Sequence, residues 1–176
     1  MFSTGEKNKN TKGFTLVEIT VVLAVVAVIA VMTVSFVALV GTQSQIAKNS
    51  GDISSDISYI ESDFRKFIMS YDDASYTFSV SDYTITVKGS NADSEISTFS
   101  IKDKILLYKR PDKTDFSRTL KRTESASFSV LKSDDSENGY LAILCKFSYQ
   151  SANGKSKEEK TIIRTVRAAK VEEVTA

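Results

Sequence analysis

A chain of 176 residues, 41% of them hydrophobic, suits one modest domain plus an appendage, and a formal net charge of +1 supplies no field that would argue for a nucleic-acid partner. It contains no histidine, which excludes His-based catalytic triads and histidine-containing zinc sites, and its one cysteine, Cys145, excludes an intrachain disulfide. The aliphatic content is concentrated in residues 14–40, and the remainder is rich in Ser, Thr, Asp and Lys.

Residues 1–13 form a short leader in which Lys7, Lys9 and Lys12 outweigh Glu6. From Ile19 to Ala47 there is no Asp, Glu, Lys or Arg, so Glu18 is the single charge between Lys12 and Lys48. Ile19–Val40 is 22 residues, about 33 Å as a helix, which matches a hydrocarbon core of about 30 Å. Nine of those residues are valine, a strand former in water, but a lone segment in lipid must satisfy its own backbone and does so as a helix. A cleavable secretory signal would have a shorter apolar region ending at a small-x-small site, and the alanines at 24, 27, 30 and 38 form no such pattern. Basic flanks stay in the cytoplasm, which places the leader inside and the rest of the chain outside. An ionisable group inside such a segment costs about 2.5–3.5 kcal/mol on insertion scales, so Glu18 is expected to be functional and to meet a partner.

Beyond the apolar run, Ile46, Ile53, Ile57, Ile60, Phe64, Phe67, Ile68 and Tyr71 recur at helical spacing, with Asp52, Asp56, Glu61, Asp63, Arg65 and Lys66 filling a polar face. The helix is expected to continue over residues 41–71, with Gly41 and Ser35 as weak points of flexibility; the sequence leaves open whether it runs straight or bends or breaks near Asn49–Gly51. After Asp72 and Asp73 the period changes to two. Strands are expected at 76–80, 83–87, 96–101, 104–110, 126–132, 140–150 and 160–168, with a turn or bulge at Ser81-Asp82. Lys102-Asp103-Lys104 is expected to close a tight hairpin, Pro111-Asp112-Lys113 to end a strand, and Asn153-Gly154 to be a hairpin turn. Cys145 falls on the more apolar face of its strand and is expected to be a core thiol. Asp134, Asp135, Glu137 and Asn138 supply oxygens without the EF-hand spacing, so a solvated acidic loop is expected rather than calcium. No phosphate-binding glycine loop and no carboxylate pair for acid–base chemistry stand out, so no cofactor, metal or enzymatic activity is expected.

The segment Gly13-Phe14-Thr15-Leu16-Val17-Glu18-Ile19, with a basic leader before it and an apolar helix after it, resembles the class III signal of type IV prepilins and pseudopilins. The resemblance covers about residues 8–40. It implies cleavage between Gly13 and Phe14 by a membrane prepilin peptidase and methyltransferase, N-methylation of Phe14, and an assembly role for Glu18. In a filament, Glu18 of an incoming subunit would pair with the Phe14 ammonium of its neighbour, because two such charges attract strongly in low dielectric and either alone is penalised. Gly13, lacking a side chain, suits a scissile position that must enter a protease cleft extended. The proline common in the middle of the family's helix is absent, since the only proline is Pro111.

The expected architecture is therefore α+β and pilin-like, a long N-terminal helix with a membrane half and an amphipathic half, the latter covering an antiparallel β-sheet. Its parts are a cleaved leader (1–13), a transmembrane and assembly helix (14–40), its amphipathic continuation (41–71), an exported β-rich domain (72–170) and a polar tail (171–176). The resemblance implies a minor pilin or pseudopilin of a type IV pilus, a type II secretion-like machine or a DNA-uptake filament. Its partners would be the peptidase, other pilin subunits and membrane lipid, with DNA or secreted substrate met only indirectly. The absence of a disulfide pair favours a minor subunit, and Ile105–Arg110 resembles pseudopilins of Gram-positive bacteria. The alternative is a single-pass anchored binding module that does not polymerise.

Overall fold

The structure is a computed structural model that describes residues 14–89, 95–111, 113–132, 141–167 and 169–174. The leader and the Asp134–Asn138 cluster lie outside the described residues. The chain divides into two units between Ser44 and Gln45.

In the first unit, helix α1 (Leu16–Ser70) begins, and every residue from Phe14 to Gln45 is exposed. Its hydroxyls are bound internally: Thr20, Thr33, Ser35 and Thr42 donate to the carbonyls of Leu16, Ile29, Val31 and Ala38, each four residues back. No hydroxyl of these four is left to seek a donor or acceptor in lipid. The helix is unbroken at both Gly41 and Gly51, which answers the question the sequence leaves open. A lone glycine costs about 1 kcal/mol against alanine, too little to break a helix of 55 residues.

The second unit contains the rest of α1 and nine strands in two sheets. β1 (Tyr76–Ser81), β2 (Thr84–Gly89), β3 (Glu95–Lys102), β4 (Ile105–Arg110) and β5 (Lys113–Thr119) make an antiparallel meander, and β9 (Lys170–Glu173) adds to the outside of β1 in parallel. β6 (Thr123–Lys132), β7 (Leu141–Gln150) and β8 (Lys157–Val166) form the second, antiparallel sheet. The expected α+β architecture, a long N-terminal helix with an antiparallel-rich sheet, holds; the strands divide into two sheets, and one pair is parallel.

The expected stripe on α1 supplies the core. Ile60, Phe64, Phe67 and Ile68 are buried, and Ile57 packs against them from the edge. The Phe67 ring lies 5.3 Å from Phe99 on β3 and 5.3 Å from Tyr108 on β4, while Phe64 lies 6.1 Å from Phe128 on β6. Two rings on adjacent turns thus join the helix to both sheets, each in a tilted or edge-on arrangement that suits aromatic quadrupoles. Cys145 is fully buried as expected, and desolvation pushes its thiol up to about 12.

Three polar residues tie loops to the helix and its exit. Asp56, placed on the solvated face by the sequence pattern, is 3% exposed and accepts the backbone N–H groups of Lys121 (3.1 Å), Arg122 (2.7 Å) and Thr123 (3.0 Å). Asn49 donates to the Ala152 carbonyl at 2.8 Å. Asp72 accepts the Arg167 N–H at 2.8 Å. Each contact pairs a loop backbone group, an N–H at 121–123 and 167 and a carbonyl at 152, with a polar side chain of α1 or its exit.

The turns differ in how well they match expectation. Asp103 and Lys104, at φ 51° and 64°, form the two-residue hairpin expected between β3 and β4. Asn153-Gly154 is not a two-residue turn: the link is Ser151–Ser156, in which Asn153 Oδ1 accepts the Lys155 N–H and Gly154 takes φ 72°. β4 ends at Arg110, just before Pro111, as expected, and β5 begins at Lys113, which pairs with Arg110; Asp112 lies outside the described residues. β5 was not expected because Phe116 is the one apolar side chain in Lys113–Thr119. β9 crosses the expected boundary at 170/171, and Val171 in it is buried.

Asp56→Ala should destabilise the second unit by about 3 kcal/mol, since three backbone amides, that of Thr123 buried, lose a charged acceptor, and Asp56→Asn by less; urea unfolding monitored by circular dichroism checks the order. Lys104→Gly should stabilise by about 1 kcal/mol, because a left-handed backbone strains a residue with a Cβ but not glycine, and the thermal midpoint should rise by roughly 2–4 °C.

Candidate functional site: the start of the apolar helix

Thr15 precedes the first helical residue, and its carbonyl accepts the Ile19 N–H at 3.2 Å, which starts the helical ladder. The first amides of any helix have no partner inside it. Here the Thr15 hydroxyl oxygen accepts the Glu18 N–H at 3.2 Å, and Glu18 Oε2 reaches back to accept the Thr15 N–H at 2.8 Å and its hydroxyl at 3.0 Å. This reciprocal pattern is a capping box, with Thr15 as N-cap and Glu18 three residues on. The carboxylate also sits at the positive end of the helix dipole, where negative charge is favoured.

Both hydrogen bonds to the Glu18 side chain use Oε2, and Oε1 has no hydrogen-bond partner among the described residues. The carboxylate is therefore both satisfied and available. One oxygen holds the helix start, and the other presents an acceptor to whatever approaches the end of the helix.

Of the expected site residues, Gly13 lies outside the described residues, Phe14 is exposed at the beginning of the described chain, and Glu18 stands one turn further on. Thr15 was missed as a site residue. Its signal was present, since a threonine three residues before a glutamate and ahead of an apolar run is a helix-start signature. The reading of Glu18 as a lone charge in an apolar run obscured it.

No group of three or more metal-ligating side chains occurs among the described residues. Polar hollows do occur along α1 in the second unit, and they lie apart from Thr15 and Glu18 in the chain.

Residues 8–34 match the family model of the prokaryotic N-terminal methylation motif, which bears out the resemblance to type IV prepilins and pseudopilins. No curated protein and no solved structure matches the chain. The match, confined to the N-terminal segment, and the apolar helix that follows support a membrane-anchored protein with a type IV pilin-like, prepilin-type N-terminus. The motif's family is structural rather than catalytic.

Replacing Thr15 by alanine removes the cap hydroxyl, whereas serine keeps it. In the full chain in detergent micelles, the amides of Val17, Glu18 and Ile19 should exchange with deuterium about fivefold faster in Thr15→Ala and at an unchanged rate in Thr15→Ser. Equal rates in all three proteins would remove the capping box.

Proposed function

We propose that the chain is a minor pilin or pseudopilin, cut between Gly13 and Phe14, methylated on Phe14, and built into an extracytoplasmic filament through Glu18. What carries this reading is the state of Glu18, whose Oε2 is held by Thr15 while Oε1 is left open. Hydrolysis of the Gly13–Phe14 bond leaves a carboxylate on the leader and an ammonium on Phe14. That ammonium is the donor an open carboxylate oxygen in an apolar setting requires, and the attraction is strong because little water competes there. Glu18 of an entering subunit takes the Phe14 ammonium of a neighbour, and the pair sets the axial register.

The apolar helix supports the same reading. It has no partner within its own unit, and residues 14–40 are exposed throughout, so it is covered by lipid before assembly and by other helices afterwards. The basic leader sets the cytoplasmic side by the positive-inside rule, which puts the strand-rich unit outside. The same processing motif serves pili, secretion machines and DNA-uptake filaments, and within that group the missing disulfide pair favours a minor subunit.

The capping box gives the charge a tolerable state while the subunit waits in the membrane. A bare carboxylate at that depth is costly, and two donors from Thr15 reduce the cost without consuming both oxygens. An alternative reading, a single-pass anchored binding module, uses the same helix but no free Phe14 and no role for Oε1.

Mass spectrometry of the protein from its native membrane should find a mature chain beginning with N-methylated Phe14; an intact Met1 would overturn the reading. Glu18→Ala should still be cleaved but should fall by at least about tenfold in sheared filament fractions, the loss expected when one partner of a desolvated charge pair is removed. Normal assembly of Glu18→Ala would exclude the pairing.

A further inference from the structure

In the second unit, a cleft of about 410 Å³ lies beside the last turns of α1 and the end of β8, with Arg65, Met69, Arg164 and Arg167 among its walls. A second hollow of about 490 Å³ shares Arg65, Met69 and Arg164 and extends towards Ser58 on the helix. From Ser58 to Asp72 the helix and its exit span roughly 20 Å, the length of about six residues of extended chain. The two hollows make a trough rather than a closed pocket.

The cations in this trough are not equivalent. Arg164 donates to Glu61 at 3.1 Å and to the Ile163 carbonyl at 3.0 Å, although its Nε is buried without a partner. Lys66 is 3.9 Å from Asp63. Arg65 and Arg167 have no ion-pair partner among the described residues, and both are exposed. Between them Met69 is 66% exposed, a flexible, polarisable side chain of the kind used where a surface must fit an apolar group. β8 is also an edge strand, since the second sheet has the order β6-β7-β8. An open strand edge can accept an extended chain by main-chain hydrogen bonds.

We infer that this trough binds an extended acidic segment of a partner polypeptide, with carboxylates on Arg65 and Arg167 and an apolar side chain on Met69. A guanidinium and a carboxylate match in a two-bond geometry, which gives both arginines a specific ligand class. Nucleic acid fits less well. The trough's described walls contain no aromatic ring for a base to stack on. The inference stands apart from the processing and assembly of the N-terminal helix, so failure of one leaves the other intact.

The test is fluorescence anisotropy of the full chain in detergent micelles, with a fluorescein-labelled peptide of alternating glutamate and leucine as probe. A peptide of alternating lysine and leucine and a labelled oligothymidylate serve as comparisons. The acidic peptide should bind, should weaken as salt is raised, and should lose about tenfold in affinity in Arg65→Glu/Arg167→Glu and several-fold in Met69→Ala. Arg65→Gln/Arg167→Gln should show the same direction with an unchanged thermal midpoint, which separates lost binding from lost folding. Absence of acidic-peptide binding, equal binding of the lysine peptide, oligothymidylate binding with the same dependence on the variants, or variants that bind normally would each overturn the inference.

Discussion

A carboxylate is held by hydrogen-bond donors, and this chain supplies them from its own backbone at three points along or beside one helix, of which only Asp56 is buried. Glu18 takes the Thr15 amide, Asp56 takes three amides of the 121–123 segment, and Asp72 takes the Arg167 amide. At Asp56 the result is structural, because a buried acid and a loop without strand partners satisfy one another. At Glu18 the same chemistry does something different, because only one oxygen is used. A group that must be tolerated in an apolar setting is left able to act there.

The two units of the chain follow from two fates of the same helical period. From Gln45 onward, apolar residues recur on one face, and Phe64 and Phe67 bring that face against rings from both sheets. Before Ser44, apolar residues occur on every face and nothing in the unit covers them. A helix hydrophobic all round belongs in a membrane or among other helices, whereas one with a single stripe belongs on a sheet. The change of environment is therefore written into the helix itself, without proline, glycine break or linker to mark it.

Legibility tracked the range of the interaction. The α1 stripe, the expected hairpin at Asp103-Lys104 and the burial of Cys145 were readable because period and turn chemistry are local. β5 was not, since one phenylalanine among charged residues makes no alternation, and its strand state comes from pairing with β4. β9 was likewise hidden, because four residues become a strand only when β1 offers its edge. Asp56 was read as solvated on spacing alone; its neighbours in space come from 65 or more positions away, which no helical wheel can contain. Thr15 is the opposite case, since its capping signal, a threonine three residues ahead of a glutamate, is wholly local.

What the sequence determined by itself is the processing motif, the uninterrupted apolar segment and the change of period from helix to strand, since each rests on residues near one another in the chain. Tertiary structure decided the division into two sheets, the parallel placement of β9, the burial of Asp56 and the gathering of Arg65, Arg164 and Arg167 along one trough. Those outcomes depend on which distant amides, edges and charges meet, and that is settled only when packing of the α1 stripe brings the sheets to the helix.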